Sequence, residues 1–243
     1  MIKVVYPEAR YFKEIVDALS KIVDEVALQF QKDRLKITAM DISNIALIDI
    51  EIPSEAFPEF TVESPLNIGV SVANLNKILK KAKKGDRLTI EGNEENVELT
   101  LLSSIKRSYK FRNLDVKPPE MPLSNLEFNV DARLIASSLK DAVKDVEEVA
   151  EKIEFEASEN ELVVRGRGAG SVEAKYGMGS PALISLSVRE KSKSSYQVSY
   201  ISSVIGLSKI SDTIALRFSN DSPLQLEFSL GTGRVVFLLA PAL

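Results

Sequence analysis

Apolar residues recur at helical spacing in four stretches of the chain, beginning near Ala9, Val72, Arg133 and Tyr200, and mostly alternate one-in-two between them. Helical spacing predicts amphipathic helices and alternation predicts half-buried strands, so the pattern describes an α+β chain dominated by sheet. On the first predicted helix Phe12, Ile15, Val16, Leu19, Ile22 and Val23 form the apolar stripe, with Arg10, Lys13 and Lys21 exposed among Glu14 and Asp17. The second sets Leu75, Ile78, Leu79 and Ala82 against Lys77, Lys80, Lys81 and Lys84 on the opposite face. The third, over 133 to 146, buries Ile135, Leu139, Ala142, Val143 and Val146 and turns Arg133, Ser137, Lys140 and Lys144 outward. The fourth, near 200 to 208, shows Ser202, Ser203 and Gly206 outward, with Lys209 at its end.

This order is written twice. Residues 75–90 match 201–216 at an offset of 126, carrying Leu75, Ile78, Leu79, Asp86, Leu88 and Ile90 onto Ile201, Val204, Ile205, Asp212, Ile214 and Leu216. The strand 97–102 matches 224–229 at 127. Residues 17–26 line up with 141–150 at 124, taking Ala18, Leu19 and Ile22 onto Ala142, Val143 and Val146. Such agreement reads as two similar domains in tandem. Between them, "DVKPPEMPLSN" (115–125) holds Pro118, Pro119 and Pro122, which forbid helix and leave an extended connector. The expected organisation is one domain over 1–115, a connector over 116–126 and a second domain over 127–243.

Composition narrows the function. The 243 residues include no Cys, His or Trp, which removes disulfides, Cys/His zinc sites, thiol nucleophiles and every His-based triad. No stretch approaches the roughly 20 apolar residues of a membrane span, so a soluble, intracellular protein is expected, cytoplasmic and nucleoid-associated in a prokaryote, with no membrane partner. The lack of Cys, a Gln complement limited to positions 29, 31, 197 and 225, and 27% charged residues are compatible with a hot-living source. The formal charge is −4, yet residues 77–84 hold five lysines. Carboxylates gather instead in "EGNEENVE" (91–98) and "EEVAEKIEFEASENE" (147–161). Lysine faces at equivalent places in a repeat suit a polyanion held through its phosphates, against the plainer reading of solvated helix faces. Without aromatic residues on those faces, duplex nucleic acid fits better than single strands.

Asp41, Asp49 and Glu51 are the candidate magnesium ligands of a nuclease, but Asp49 and Glu51 alternate with Ile48, Ile50 and Ile52 as on any sheet with one wet face. The glycine-rich "GRGAGS" (166–171) lacks the Lys-Ser/Thr of a phosphate loop and predicts a turn or bulge. No catalytic residue, cofactor or metal site is expected. Two further segments read as edge strands: Tyr109 and Phe111 alternate with Lys110 and Arg112, and Val172, Ala174 and Tyr176 alternate with Glu173 and Lys175. Pairing the first edge of one chain with the second edge of the next is a head-to-tail contact that closes into a ring if the rotation fits.

The stretches "AMDISNIALIDIEI" (39–52), "GVSVANLNKILKKAK" (69–83) and "DSPLQLEF…VVFLLAP" (221–241) resemble the sliding DNA clamps of archaea and eukaryotes, the PCNA family. The resemblance runs over essentially the whole chain. It implies the DNA-clamp fold, a trimeric ring of this chain or related clamp subunits with helices lining the inside and sheets outside, around double-stranded DNA. It implies a processivity factor without catalysis, partnered by a clamp loader, DNA polymerase, flap endonuclease and DNA ligase through short hydrophobic motifs. On it, Lys13, Lys77, Lys80 and Lys140 fall at basic, pore-facing positions, Lys144 where the family also faces DNA, and Lys81 and Lys84 join them. Gly206 stands where the fourth helix often carries a lysine. Met40, Ile45, Leu47, Met121, Pro223, Leu238, Ala240 and Pro241 match the pocket beneath the connector, although Ile45 and Leu47 read equally well as core. The two residues after "LAP" resemble an archaeal more than a eukaryotic clamp. The other classes in view are a metal-dependent DNA-processing enzyme on a duplicated scaffold and a protein-only scaffold that never touches DNA.

Overall fold

The computed structural model describes residues 1–120 and 126–242. They form two compact units, the first from 1–42, 48–120 and 230–235, the second from 43–47, 126–229 and 236–242. Strands of the first unit are β1 (Ile2–Tyr6), β2 (Glu25–Phe30), β3 (Arg34–Met40), β4 (Ala46–Pro53), β5 (Glu59–Val62), β6 (Leu66–Ser71), β7 (Arg87–Gly92), β8 (Asn96–Leu102) and β9 (Lys106–Arg112), with helices α1 (Ala9–Leu19) and α2 (Val72–Leu79). An antiparallel sheet runs β5-β1-β7-β8-β9, and a second ladder joins β4, β3, β2 and β6. α1 and α2 pack on each other.

The second unit holds β10 (Val130–Ile135), α3 (Ala136–Val149), β11 (Lys152–Ser158), β12 (Glu161–Arg167), β13 (Ser171–Gly177), β14 (Leu183–Val188), β15 (Ser192–Gln197), α4 (Val198–Val204), β16 (Thr213–Phe218), β17 (Leu224–Leu230) and most of β18 (Gly233–Leu239). One sheet runs β13-β12-β11-β15 and the other β14-β10-β16-β17-β18. α3 packs on α4 and across β11, β12 and β13.

The duplication is visible in single hydrogen bonds. The N–H of Ala9, first residue of α1, donates to the Asp86 carbonyl at 2.8 Å, and that of Ala136, first residue of α3, to the Asp212 carbonyl at 2.8 Å. Ala9, Phe12, Ile15, Val16 and Leu19 are buried in one helix, and Ala136, Leu139, Ala142, Val143 and Val146 in the other. These sets coincide at an offset of 127, so the expected offset of 124 is corrected. A slip of three residues stays within one helical turn and keeps an apolar stripe nearly in phase, which is why the two offsets look alike in the sequence.

Helix limits also differ from the expected ones. Arg133 to Ile135 complete β10, because that strand is paired on both sides and its buried Val130, Ala132 and Leu134 alternate strictly. α1 stops at Leu19, leaving Ile22 and Val23 half-buried in the turn beyond. α4 stops at Val204 and tightens into a 3-10 turn over Ile205–Lys209, and Ser203 is buried, its hydroxyl donating to the Tyr200 carbonyl. "GRGAGS" closes the β12–β13 hairpin through a bond from the Gly168 N–H to the Gly170 carbonyl.

On the solvent face of the β13-β12-β11-β15 sheet, Arg165 reaches Glu154 and Glu156 on one neighbouring strand and Glu173 on the other. Lys191 adds to Glu156 at 3.0 Å and Lys193 to Glu154 at 2.9 Å. The Arg165 hydrogen bond first, then that of Lys191, holds the Glu156 carboxyl down at about 2 against an ordinary 4.5. A depressed folded-state value gives stability that is complete above about pH 4.5 and fades as pH falls towards 2. Glu156→Gln should therefore unfold at lower urea than the parent at pH 7, with the gap narrowing by pH 3. A gap unchanged between the two pH values would contradict the assignment.

Candidate nucleic-acid interface and partner site

The lysine cluster sits at the end of a short helix. Ser71 caps α2, its hydroxyl accepting the Asn74 N–H, and Val72, Leu75, Ile78 and Leu79 are buried beneath it. Past Leu79 the backbone tightens, with the N–H groups of Lys81 and Ala82 bonding three residues back to Ile78 and Leu79. Gly85 then takes φ +85°, a left-handed conformation natural to glycine, while the Asp86 carboxylate accepts the Lys83 N–H at 2.8 Å. The expected four-lysine helix face is thus corrected: Lys77 is helical, Lys80 closes the helix, and Lys81, Lys83 and Lys84 belong to the turn. All five are exposed. Among the described residues none of them forms an ion pair with a carboxylate, whereas the outward carbonyls of the helix end favour positive charge. Lys81 lies 5.2 Å over the Tyr109 ring and 3.4 Å from its hydroxyl.

The other helices carry less free charge. Lys13 pairs with Glu14 at 3.3 Å and keeps 25% of its side chain exposed. On α3, Lys140 is half-buried and Lys144 exposed, but Asp141, Asp145, Glu147 and Glu148 are exposed on the same helix. α3 is therefore net acidic, where a basic face was expected. Its carboxylates interleave with its lysines along the sequence, and a helical wheel drawn for basic residues alone leaves them out.

The chain entering the connector is anchored at Gly69 of β6. Leu114 bridges it, donating its N–H to the Gly69 carbonyl at 3.0 Å, and the Gly69 N–H donates to Asn113 Oδ1 at 2.7 Å. Asn113 Nδ2 in turn holds the carbonyls of Asn67 and Asn93. Beyond, Val116 to Pro119 line a cavity of about 200 Å³ together with Val23, Val26, Ala39 and Met40. Met40 is the predicted pocket residue in this unit. In the second unit the Ala240 N–H donates to the Ile45 carbonyl at 2.9 Å, which brings the "LAP" segment and the 43–46 loop together. Ile45 is exposed and Pro223, Ala240 and Pro241 are half-buried, but Leu47 and Leu238 keep only 4% and 6% of their surface and are core. Met121 lies outside the described residues. Ile42, not singled out from sequence, is fully exposed.

β9 and β13 are outer strands, each with one neighbour. Tyr109, Phe111, Val172 and Ala174 are half-buried, Lys110 is exposed, and Tyr176 is buried with its hydroxyl donating to the Ser138 carbonyl at 3.0 Å. Of the carboxylates weighed as magnesium ligands, Asp49 and Glu51 face cations. Asp49 accepts the Thr38 hydroxyl at 2.7 Å beside Lys36, and Glu51 meets Arg34 and Arg234. Among the described residues no group of three His, Cys, Asp or Glu could hold a metal ion, and no helix is long and apolar enough to cross a membrane.

A family profile described as "Proliferating cell nuclear antigen, N-terminal domain" matches residues 1–127. The DNA polymerase sliding clamp of Pyrococcus furiosus is 37% identical over 98% of this chain and 97% of its own length. The crystal structure of PCNA from Thermococcus kodakaraensis is similar at a TM-score of 0.93 and 30% identity, covering 100% of both chains. A chain in the crystal structure of a PCNA2–PCNA3 complex from Sulfolobus tokodaii reaches a TM-score of 0.93 at 29% identity, covering 98% of both.

Gly69 offers a test of the connector. A Cβ there would lie 2.0 Å from the Leu114 carbonyl oxygen, so backbone must move. Gly69→Ala should cost about 1–3 kcal/mol and detach residues 114–119. Urea unfolding measures the first, and faster proteolysis within 114–119 the second. A variant as stable and as resistant as the parent would show that this bridge does not hold the connector.

Proposed function

The chain belongs to the proliferating cell nuclear antigen family, and from that membership we propose that it is a sliding-clamp subunit. As one third of a closed ring it encircles duplex DNA and tethers DNA polymerase and other replication and repair enzymes, among them flap endonuclease and DNA ligase, after a clamp loader has opened it. It catalyses nothing itself. The observation that carries the reading is likeness along the whole chain to a solved clamp, at a TM-score of 0.93 with full coverage of both.

The surface chemistry supports this role. Lys77, Lys80, Lys81 and Lys84 are exposed and, among the described residues, have no carboxylate partner, which leaves their charge available to phosphate. Lys13, Lys140 and Lys144 are weaker contributors, because Lys13 is paired with Glu14 and the other two share α3 with four carboxylates. Phosphate contacts carry no sequence information, so the grip is indifferent to sequence and the closed ring, more than affinity, retains the DNA. Partner enzymes present a short segment with hydrophobic anchors, received in the second unit by Ile45, Pro223, Ala240 and Pro241. The cavity under Val116 to Pro119 is of a size to take a single apolar side chain.

Lys77→Ala combined with Lys80→Ala tests the DNA-binding face. Assembled ring should load and slide less well on duplex DNA, and the slope of log affinity against log salt should flatten by about 0.9 for each phosphate no longer neutralised. Stability should change by less than about 0.5 kcal/mol, since both positions are exposed. Titration at several salt concentrations with a slope and affinity equal to the parent's would sink the assignment of this helix to DNA.

A further inference from the structure

The second unit has an open strand edge that neither DNA binding nor the hydrophobic anchors of a partner make use of. β14 ends its sheet and is paired with β10 alone. Its six residues, Leu183 to Val188, include neither charge nor proline, the usual means of keeping an edge from pairing, and Ile184 keeps 49% of its surface exposed. The Arg189 N–H donates to the Asn129 carbonyl at 2.7 Å. By alternation Asp131 with Ser187 and Arg133 with Ser185 are then the hydrogen-bonded pairs of the ladder, whose register shifts only beyond Arg133. The N–H and C=O groups of Leu186 and Val188 therefore point to the open side.

Beside that edge lies a cavity of about 820 Å³, to which Arg133, Ser185, Ser187, Arg189 and Arg217 contribute. Arg217 is already committed: its Nε donates to Asp131 Oδ2 at 2.8 Å and its Nη1 to Glu227 Oε2 at 2.8 Å. Arg133 and Arg189 are exposed and, among the described residues, have no carboxylate partner. Arg133 owes this position to β10, since a place on the expected third helix would have set it among the lysines there. Resting on the clamp reading above, we propose that an extended acidic segment of a partner protein, adjoining its hydrophobic anchors, adds to β14 as a further strand and brings carboxylates four residues apart to Arg133 and Arg189.

The spacing follows from the ladder. On an added strand the residues facing Ser185 and Arg189 are four apart, share one face and lie about 13 Å from each other. The first meets Arg133 across Ser185, whose short side chain leaves the guanidinium room to reach over, and the second sits beside Arg189. Guanidinium groups bind carboxylates through paired, charge-assisted hydrogen bonds. A peptide suits the site better than nucleic acid on two grounds. Glu127 and Asp131 also line the cavity and would repel an unbroken run of phosphates, and an open strand edge recognises backbone amides, which nucleic acid lacks. The groove is also continuous with the partner site. The Asn129 N–H donates to Ser219 Oγ at 2.9 Å and the Ser219 N–H to Ser222 Oγ at 3.0 Å, so the segment bordering the groove is fastened to the turn that leads into Pro223.

Synthetic peptides that join a family-type hydrophobic docking motif to an extended tail through a Gly/Ser spacer, with the tail on either side of the motif, test this by fluorescence anisotropy against the full chain. In the tighter of the two arrangements, glutamates at tail positions i and i+4 should give at least about fivefold higher affinity than glutamates at i and i+3, which face opposite sides of a strand. The advantage should vanish in the double variant Arg133→Gln, Arg189→Gln, which should bind the motif without a tail as the parent does. N-methylation of alternate tail amides should abolish the advantage in one phase and spare it in the other, because only every second amide of an added strand faces β14. Equal affinity of the two tails, an advantage that survives in the arginine variant, or indifference to the phase of methylation would overturn the proposal. Displacement of the tail by a single-stranded oligonucleotide more readily than by unlabelled peptide would overturn it too, and give the groove to phosphate. Failure of the motif without a tail to bind the parent would remove the partner site instead. The i, i+4 tail alone, carrying a photoactivatable residue, then decides the groove: cross-linking within 183–189 upholds it, and cross-linking elsewhere or none at all overturns it.

Discussion

Backbone hydrogen bonding at the outer strands is the constraint on which the rest depends. Every interior strand of a sheet satisfies its N–H and C=O groups on both sides, but β9 and β13 each leave one side open, and open edges invite uncontrolled pairing. A chain can blunt such edges with prolines or bulges. Neither β9 nor β13 contains a proline, and both ladders run in unbroken register over seven residues. Charge placed along the two edges limits what can pair with them.

Electrostatics follows from that arrangement. A net charge of −4 is compatible with a polyanion partner only if positive and negative groups are kept apart. On the strands, carboxylates are held among cations: Glu154, Glu156 and Glu173 around Arg165, Asp49 beside Lys36, Glu51 beside Arg34 and Arg234. On the turn after α2, lysines stand without such partners, and the Gly85–Asp86 geometry that ends the helix is what splays them outward. Five lysines within eight residues thereby make this segment the densest cluster of positive charge in the chain.

The alternation of strands, the four helices and the duplication were legible because burial imposes a period, and a period survives in one sequence without any contact being known. What depends on tertiary pairing was not. Arg133 to Ile135 look helical by spacing, yet two neighbouring strands claim them for β10. Leu47 and Leu238 are core residues that no pattern separates from surface anchors, while Ile42, equally apolar, is fully exposed. Gly69 gave no signal at all, since its necessity comes from Leu114, far along the chain, whose carbonyl occupies the space of a Cβ. The repeat itself was found at the wrong offset for α1 and α3, because a stripe of spacing three and four resembles itself when moved by three.

The two domains share a template but do not share its charges, and the difference has a physical sense. Lys13 and Lys140 are equivalent at the offset fixed by Ala9 and Ala136, and both are partly buried. Around them the helices diverge: α3 carries Asp141 and Asp145, and the buried Ser203 of α4 and Gly206 of the 3-10 turn after it stand where the α2 segment presents Lys77 and Lys80. If all four helices were uniformly basic, phosphates would be gripped from every side and each step along the duplex would break many strong contacts. Confining the densest lysine cluster to the α2 segment leaves fewer such contacts to break at each step. A ring retained by topology needs no more grip than that, and a weaker grip is what permits movement along DNA.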